Sequence, residues 1–392
     1  MKNTIRILLM ITGAAWLLAG CGDSFPDEEM HLGVEDKSRP LTVICDPPEV
    51  SPGDSVTVTL LLQTPRPDDV LTGWRVALDY NIGLYEADQV ERRYVDLDSE
   101  VTIPDPVPDP EGFLRQTFSW VVPDSTLLWS SGQPEVLTDE IIVYLASELL
   151  GGQASDPPLK SEVDAYLSAL TADDLAAMDP LTRQAVWMLS DLFACQIRFR
   201  CALEANQTVD VTRNLTVRYS RRLGSPNINL NADISSFAVA AVPRADAKWS
   251  DVVDLADEVR WFHFMDGSGA VNDVVEVPRH ENWTYYATVR FTPQQYTSPF
   301  SGDRVLHEVG TYRWYYYRLD APLSGHQLYV TEEGEEAEMW NLDENARMKP
   351  PAGVVSRYRL VGCVRDERSE WARYHATPGA TLVGGEVVFV DP

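Results

Sequence analysis

Ser55-Val-Thr-Val-Thr-Leu-Leu-Leu-Gln63 decides the fold class. Val and Leu alternate with Ser and Thr through its first half, the period of a strand with one buried face, and β-branched side chains suit that conformation. Upstream, Leu41, Val43 and Cys45 alternate with Thr42, Ile44 and Asp46 in a shorter strand. Between the two lies Pro47-Pro-Glu-Val-Ser-Pro-Gly-Asp54, too rich in turn residues for a helix. Downstream, Gly73-Trp-Arg-Val-Ala-Leu-Asp-Tyr80 is a further strand, with Trp74, Val76 and Leu78 on one face, and Phe113 to Val122 reads as another.

A short strand, a Pro-Gly-Asp turn, a long Val/Thr strand and then a strand with an early Trp resemble bacterial immunoglobulin-like modules. In that fold a Trp on the third strand packs between the two sheets. The resemblance implies this role for Trp74 and covers residues of this first stretch only.

The pattern then becomes helical. Thr171-Ala-Asp-Asp174 carries an N-terminal helix signal, and Asp179-Pro180 is a second one, a capping side chain followed by Pro at the first helical position. Leu181, Ala185, Met188, Leu189 and Leu192 recur at helical spacing, so residues about 137–194 read as a helical insertion. Strands return with Ile197, Phe199 and Cys201 on one face, and residues 201–220 resemble the last two strands of an immunoglobulin-like domain. Gly224-Ser-Pro-Asn-Ile-Asn-Leu-Asn231, within 221–233, reads as a linker. A second β region follows over 234–392, with strands expected at Trp283–Phe291, Tyr312–Leu319, Ser356–Val364 and Gly384–Val390. Trp74 and Trp314 each precede a Leu-Asp pair, which suggests a distant duplication. The expected fold is mainly β: two tandem immunoglobulin-like β-sandwiches, residues 41–220 and 234–392, the first carrying the helical insertion.

The start of the chain has a different character. Lys2 and Arg6 precede an apolar run from Ile7 to Leu18, which ends in Leu18-Ala-Gly-Cys21. This resembles a bacterial lipoprotein signal peptide with its lipobox. The apolar run is short for a bilayer span but suits a signal segment, and the small Ala19 and Gly20 admit a peptidase. The resemblance implies that residues 1–20 are removed and that the Cys21 thiol is lipidated, giving a multi-chain anchor that binds membranes stably. It also implies the outer membrane of a Gram-negative envelope, because Gly22 rather than Asp follows the cysteine. Residues 21–40 are polar and aperiodic and read as a flexible tether.

The formal net charge is −28, and loss of Lys2 and Arg6 with the leader makes the chain more acidic still. Such a chain repels phosphate backbones, which excludes nucleic acid as a partner. Once Cys21 is acylated, Cys45, Cys195, Cys201 and Cys363 remain, an even number that suits disulfides in an oxidising envelope. Cys45 and Cys201 both sit among apolar neighbours on strands, and a Cys45–Cys201 bridge is the expected pairing. Cys195 and Cys363 are then either thiols or a tie between the modules.

No Cys-x-x-Cys and no paired His spacing is present among the six histidines, so no metal or other cofactor is assigned. Asp266-Gly-Ser-Gly-Ala-Val-Asn-Asp273 lacks the ligand pattern of a calcium loop and reads as a hairpin turn. The acidic cluster Glu332, Glu333, Glu335, Glu336 and Glu338 reads as a solvated loop. Gly22-Asp23-Ser24 resembles a lipase nucleophile block, but it abuts the lipidated cysteine on the tether and has no strand before it, so no catalytic residue is assigned.

Tyr312-Arg-Trp-Tyr-Tyr-Tyr317 is the binding feature that stands out. Strand alternation puts Trp314 on one face and Tyr315 and Tyr317 on the other, where tyrosines stack on sugars or anchor proteins. The commoner arrangement is that both faces are covered. The sequence thus points to a membrane-anchored, non-enzymatic envelope protein that does structural work or binds proteins. Glycan recognition is the alternative, and a hydrolase ranks third.

Overall fold

A computed structural model describes residues 39–63, 71–80, 94–97, 100–108, 114–128, 136–137, 139–204, 208–249, 252, 255–266, 271–297, 305–319, 345–348, 356–367 and 379–392. The chain is mainly β. Its first part contains β1 (Arg39–Asp46), β2 (Glu49–Val50), β3 (Ser55–Gln63), β4 (Leu71–Tyr80), β5 (Tyr94–Asp96), β6 (Val107–Pro108), β7 (Leu114–Val121), β8 (Cys195–Glu204) and β9 (Thr208–Val217). These form two sheets, in the orders β1-β3-β7-β6 and β2-β9-β8-β4-β5.

The two sheets share one apolar core. Val56, Val58, Leu60 and Leu62 of β3, with Phe118 and Trp120 of β7, face Trp74 and Val76 of β4 and Ile197, Phe199 and Cys201 of β8. The rings meet edge-on, Trp74 on Phe118 at 5.0 Å and Trp120 on Phe199 at 5.6 Å. The indole N–H of the buried Trp74 donates to Gln116 Oε1 at 2.8 Å, so its polar atom is satisfied inside the core. The Leu78 side chain lies outside the described residues.

Between β7 and β8 the described residues form four α-helices, α1 (Glu140–Leu150), α2 (Lys160–Ala169), α3 (Ala172–Ala177) and α4 (Pro180–Leu192). Side-chain caps set the starts of α1, α3 and α4. Asp139 accepts from Ile141 and Ile142, Thr171 exchanges bonds with Asp174, and Asp179 accepts from Leu181 and Thr182 ahead of Pro180. Leu145, Val163, Leu167, Leu175, Val186 and Leu189 extend the same core.

The second part contains β10 (Asp233–Val242), β11 (Arg260–Met265), β12 (Val274–Pro278), β13 (Thr284–Thr292), β14 (Gln295–Thr297), β15 (Val305–His307), β16 (Val309–Arg318), β17 (Asn345–Met348), β18 (Ser356–Glu367) and β19 (Ala380–Val390). Its main sheets run β11-β10-β13-β17 and β12-β19-β18-β16, and β14 and β15 form a small hairpin. Phe237, Val239, Phe264, Tyr285, Trp314, Leu360 and Phe389 fill a separate core, where Phe237 stacks on Phe264 at 4.5 Å and on Trp314 at 6.2 Å.

The two parts meet through a third, small cluster. Leu41 of β1 and Leu61 of β3 pack against Val361 of β18, with Leu319 and Leu382 at its edge. Strict alternation would group Leu41 with Val43 and Cys45. Instead β1 has a bulge: Pro40 pairs with Leu62 and Thr42 with Leu61, so Leu41 is the extra residue. Such an insertion locally resets the alternation and re-aims a side chain. Val43 and Cys45 enter the first core while Leu41 enters the contact with β18.

Candidate functional site at the junction

A densely bonded polar cluster lies where the two parts join. Glu49 is on β2, whose parallel pairing with β9 matches Glu49 to Thr216 and Val50 to Val217. Arg218 follows directly and its N–H donates to Val50 O at 2.9 Å, which brings its side chain beside Glu49. Arg218 Nη2 donates to Glu49 Oε2 at 2.6 Å and to Asn227 O at 3.1 Å, and Nη1 donates to Asp191 O at 3.2 Å. Asp191, near the end of α4, accepts from Ser220 Oγ at 2.6 Å, Ser225 Oγ at 3.1 Å and Asn227 Nδ2 at 3.0 Å. All three charged residues are buried. Burial works against the Arg218 charge, and the Glu49 and Asp191 carboxylates outweigh it, so the guanidinium is held more basic than usual.

This cluster grips residues 225–231, and two asparagines there bridge both parts. The Asn227 amide donates to Asp191, while its Oδ1 accepts from Thr297 N at 2.9 Å and Thr297 Oγ1 at 3.1 Å. The Asn231 amide donates to Asp46 Oδ1 at 3.0 Å and Cys45 O at 3.2 Å, while its Oδ1 accepts from Ala380 N at 2.9 Å. Between them, Asn229 N donates to Glu49 Oε2 at 3.0 Å, and Gln294 donates to Ile228 O at 2.7 Å and accepts from Leu230 N at 3.3 Å. The amide carries a donor at one end and an acceptor at the other, which suits it to join two surfaces. The segment that composition marks as a linker is a laced strap. The Asn-x-Asn-x-Asn spacing, Asn227, Asn229 and Asn231, was the available signal.

The structure does not show the expected Cys45–Cys201 bridge. Cys45, Cys195, Cys201 and Cys363 are all buried and none forms a disulfide. Register explains the first pair. Cys45, Val58 and Phe118 form one row across β1, β3 and β7, and Trp74, Cys201 and Val211 form one row across β4, β8 and β9. Trp74 sits on Phe118, so β4 lies over β7, and β1 contacts β9. Cys201 is therefore offset by one strand from Cys45. That ~5 Å sideways step, at right angles to the ~10 Å between packed sheets, puts the strands ~11 Å apart, beyond the ~7 Å Cα limit of a disulfide. Cys363 instead points at Thr42 Oγ1, 3.9 Å away across the junction, and Cys195 at Thr126 O, 3.8 Å away.

The other sequence candidates contribute no described side chain to this cluster. Cys21, Glu332, Glu333, Glu335, Glu336, Glu338 and residues 267–270 lie outside the described residues. Tyr315 and Tyr317 are on β16, in register with Val361 and Arg359, and their side chains lie outside the described residues. Among the described residues no three His, Cys, Asp or Glu side chains are grouped to hold a metal ion, and no helix is long and apolar enough to cross a membrane. No protein-family model and no curated protein matches the chain. The chemistry the cluster supports is mechanical: charges and amides that fix one part of the chain against the other.

Proposed function

We propose that the chain is a lipid-anchored envelope protein, attached at Cys21, that presents two immunoglobulin-like domains as one stiff, non-enzymatic body for structural or protein-binding work. The observation that carries this reading is the junction. Domains on a free linker move independently by default, whereas here Asn227 and Asn231 each bond to both sides and Arg218 lies under the strap.

Strand order supports the domain reading. The orders β1-β3-β7-β6 and β2-β9-β8-β4-β5 correspond to the A-B-E-D and G-F-C plan of an immunoglobulin sandwich with two added strands, β2 beside β9 and β5 beside β4. On that plan the helices are an insertion between the strands equivalent to E and F. The second part fits a related plan. β12 runs parallel to β19 as β2 does to β9, and Trp314 on β16 is buried as Trp74 is on β4. The leader supports the anchor, and Gly22 after the cysteine favours the outer membrane.

Fractionation of Cys21→Ser tests the reading. Loss of membrane attachment or arrest of processing is expected. A variant that is processed normally and stays membrane-bound overturns it.

A further inference from the structure

We infer that β1 is a clasp, the strand through which the chain entering from the N-terminal tether locks the second domain onto the first, so that displacing β1 releases the second domain. The two-domain terms rest on the reading above; the contacts do not.

Among the described residues β1 stands at the edge of its sheet beside β3, yet it serves three surfaces. Val43 and Cys45 point into the first core. The bulge sends Leu41 to Val361, and Thr42 meets Cys363. At the far end, Cys45 O and Asp46 Oδ1 accept from Asn231, the strap residue that also holds Ala380. The second domain thus meets β1 directly at one end, through an apolar knob, and at the other through the Asn231 bridge of the strap. Cys21 precedes Arg39 in the chain, so a pull on the lipid anchor reaches β1 before any other strand among the described residues. Edge strands are held on one side only and are drawn from the less protected part of a fold. The Leu41 bulge costs the ladder its regularity and serves no residue of the first core, which marks docking as its use.

Hydrogen exchange of the full chain in detergent, read by mass spectrometry, tests this with two variants. Deleting Leu41 removes the knob while preserving the Pro40–Leu62 and Thr42–Leu61 pairings. Val361→Glu charges the opposite wall of the contact without touching β1. Each is expected to speed exchange of the strap, residues 225–231, and of Ala380 by about tenfold or more, while peptides around Trp74 and Trp314 stay protected. If the Leu41 deletion also exposes the Trp74 peptide, Val361→Glu decides alone. Strap and Ala380 protection unchanged in Val361→Glu overturns the clasp. The same protection retained in Cys21→Ser separates it from the anchor: that result supports a clasp built into the folded part, whatever the fractionation shows.

Discussion

The Asn227 amide donates to the Asp191 carboxylate at 3.0 Å, joining a strap residue to the end of a helix 36 positions earlier. The other end of the same amide holds Thr297, so one side chain closes the seam between the two parts. The junction's stiffness follows from a few bonds of this kind, and each is open to removal.

Asn227→Ala and Asn231→Ala each remove bonds on both sides of the seam. A net loss of roughly 1–2 kcal/mol per variant is expected, less than additive in the double variant because both residues hold one strap. Chemical denaturation of each single variant and of the pair measures it. Strict additivity would show two independent tethers.

Arg218 carries a larger penalty. Arg218→Met leaves Glu49 and Asp191 buried without their cation, and breaking a buried pair costs about 3–5 kcal/mol. Adding Glu49→Leu removes the stranded charge next to it, so the double variant should recover part of the loss. Comparing the denaturation midpoints of single and double variants checks the sign of that coupling.

Close packing in the second core gives a sharper contrast. A Cβ on Gly385 would meet the Phe264 ring at 2.3 Å, whereas one on Gly73 meets nothing within 4 Å. Gly385→Ala should destabilise by about 1–3 kcal/mol through overpacking, and Gly73→Ala should change stability little. Equal effects in thermal unfolding would contradict the packing of Phe264 against β19.

Legibility in the sequence followed the range of the interaction. β3 runs over Ser55–Gln63 as its alternation predicts, and α4 starts at Pro180 behind the Asp179 cap. Both are local signals. Leu41 was misplaced because one inserted residue reverses a face, and period-2 reading assumes none. The Glu49–Arg218 pair spans 169 positions, and Glu49 sits in a segment whose prolines advertise only a turn. The strap's asparagines were visible, but composition cannot tell an amide that faces water from one that joins two surfaces. β11 and β12 were not anticipated, since their pairing with β10 and β19 is decided by distant strands.

The helix caps set a pH dependence. Asp179 accepts bonds from Thr182 and Leu181, and Asp174 from Thr171, and these bonds hold both carboxyls below their ordinary value of 3.8. A depressed folded pKa means the contribution is complete above the ordinary value and fades as pH falls through the lower folded one. Asp164 runs the other way, because burial raises its carboxyl and protonation then favours the folded form. Acid titration of the helical circular-dichroism signal should therefore show a loss that is smaller in Asp179→Asn, which cannot titrate. An identical acid profile would remove the cap from the explanation.

The thiols make the last expectation. Burial pushes the Cys195 thiol up to about 12, against the pull of Lys160, so almost none is thiolate at neutral pH. Cys45, Cys201 and Cys363 are buried as well. A thiol reagent needs both access and thiolate, so the native protein should react slowly at all four positions. Unfolding in denaturant without reductant should expose four reactive thiols, because the one-strand offset between Cys45 and Cys201 prevents a bridge. Mass spectrometry of alkylated protein counts the thiols directly, and in the lipidated protein Cys21 is already a thioether. Four labels only after unfolding, unchanged by prior reduction, is the expected result. Two fewer labels without reductant would mean that a disulfide forms, and peptide mapping would name it. A Cys45–Cys201 product would require β1 to slide across the face of β3 and β8, and would break the contact of Leu41 with Val361.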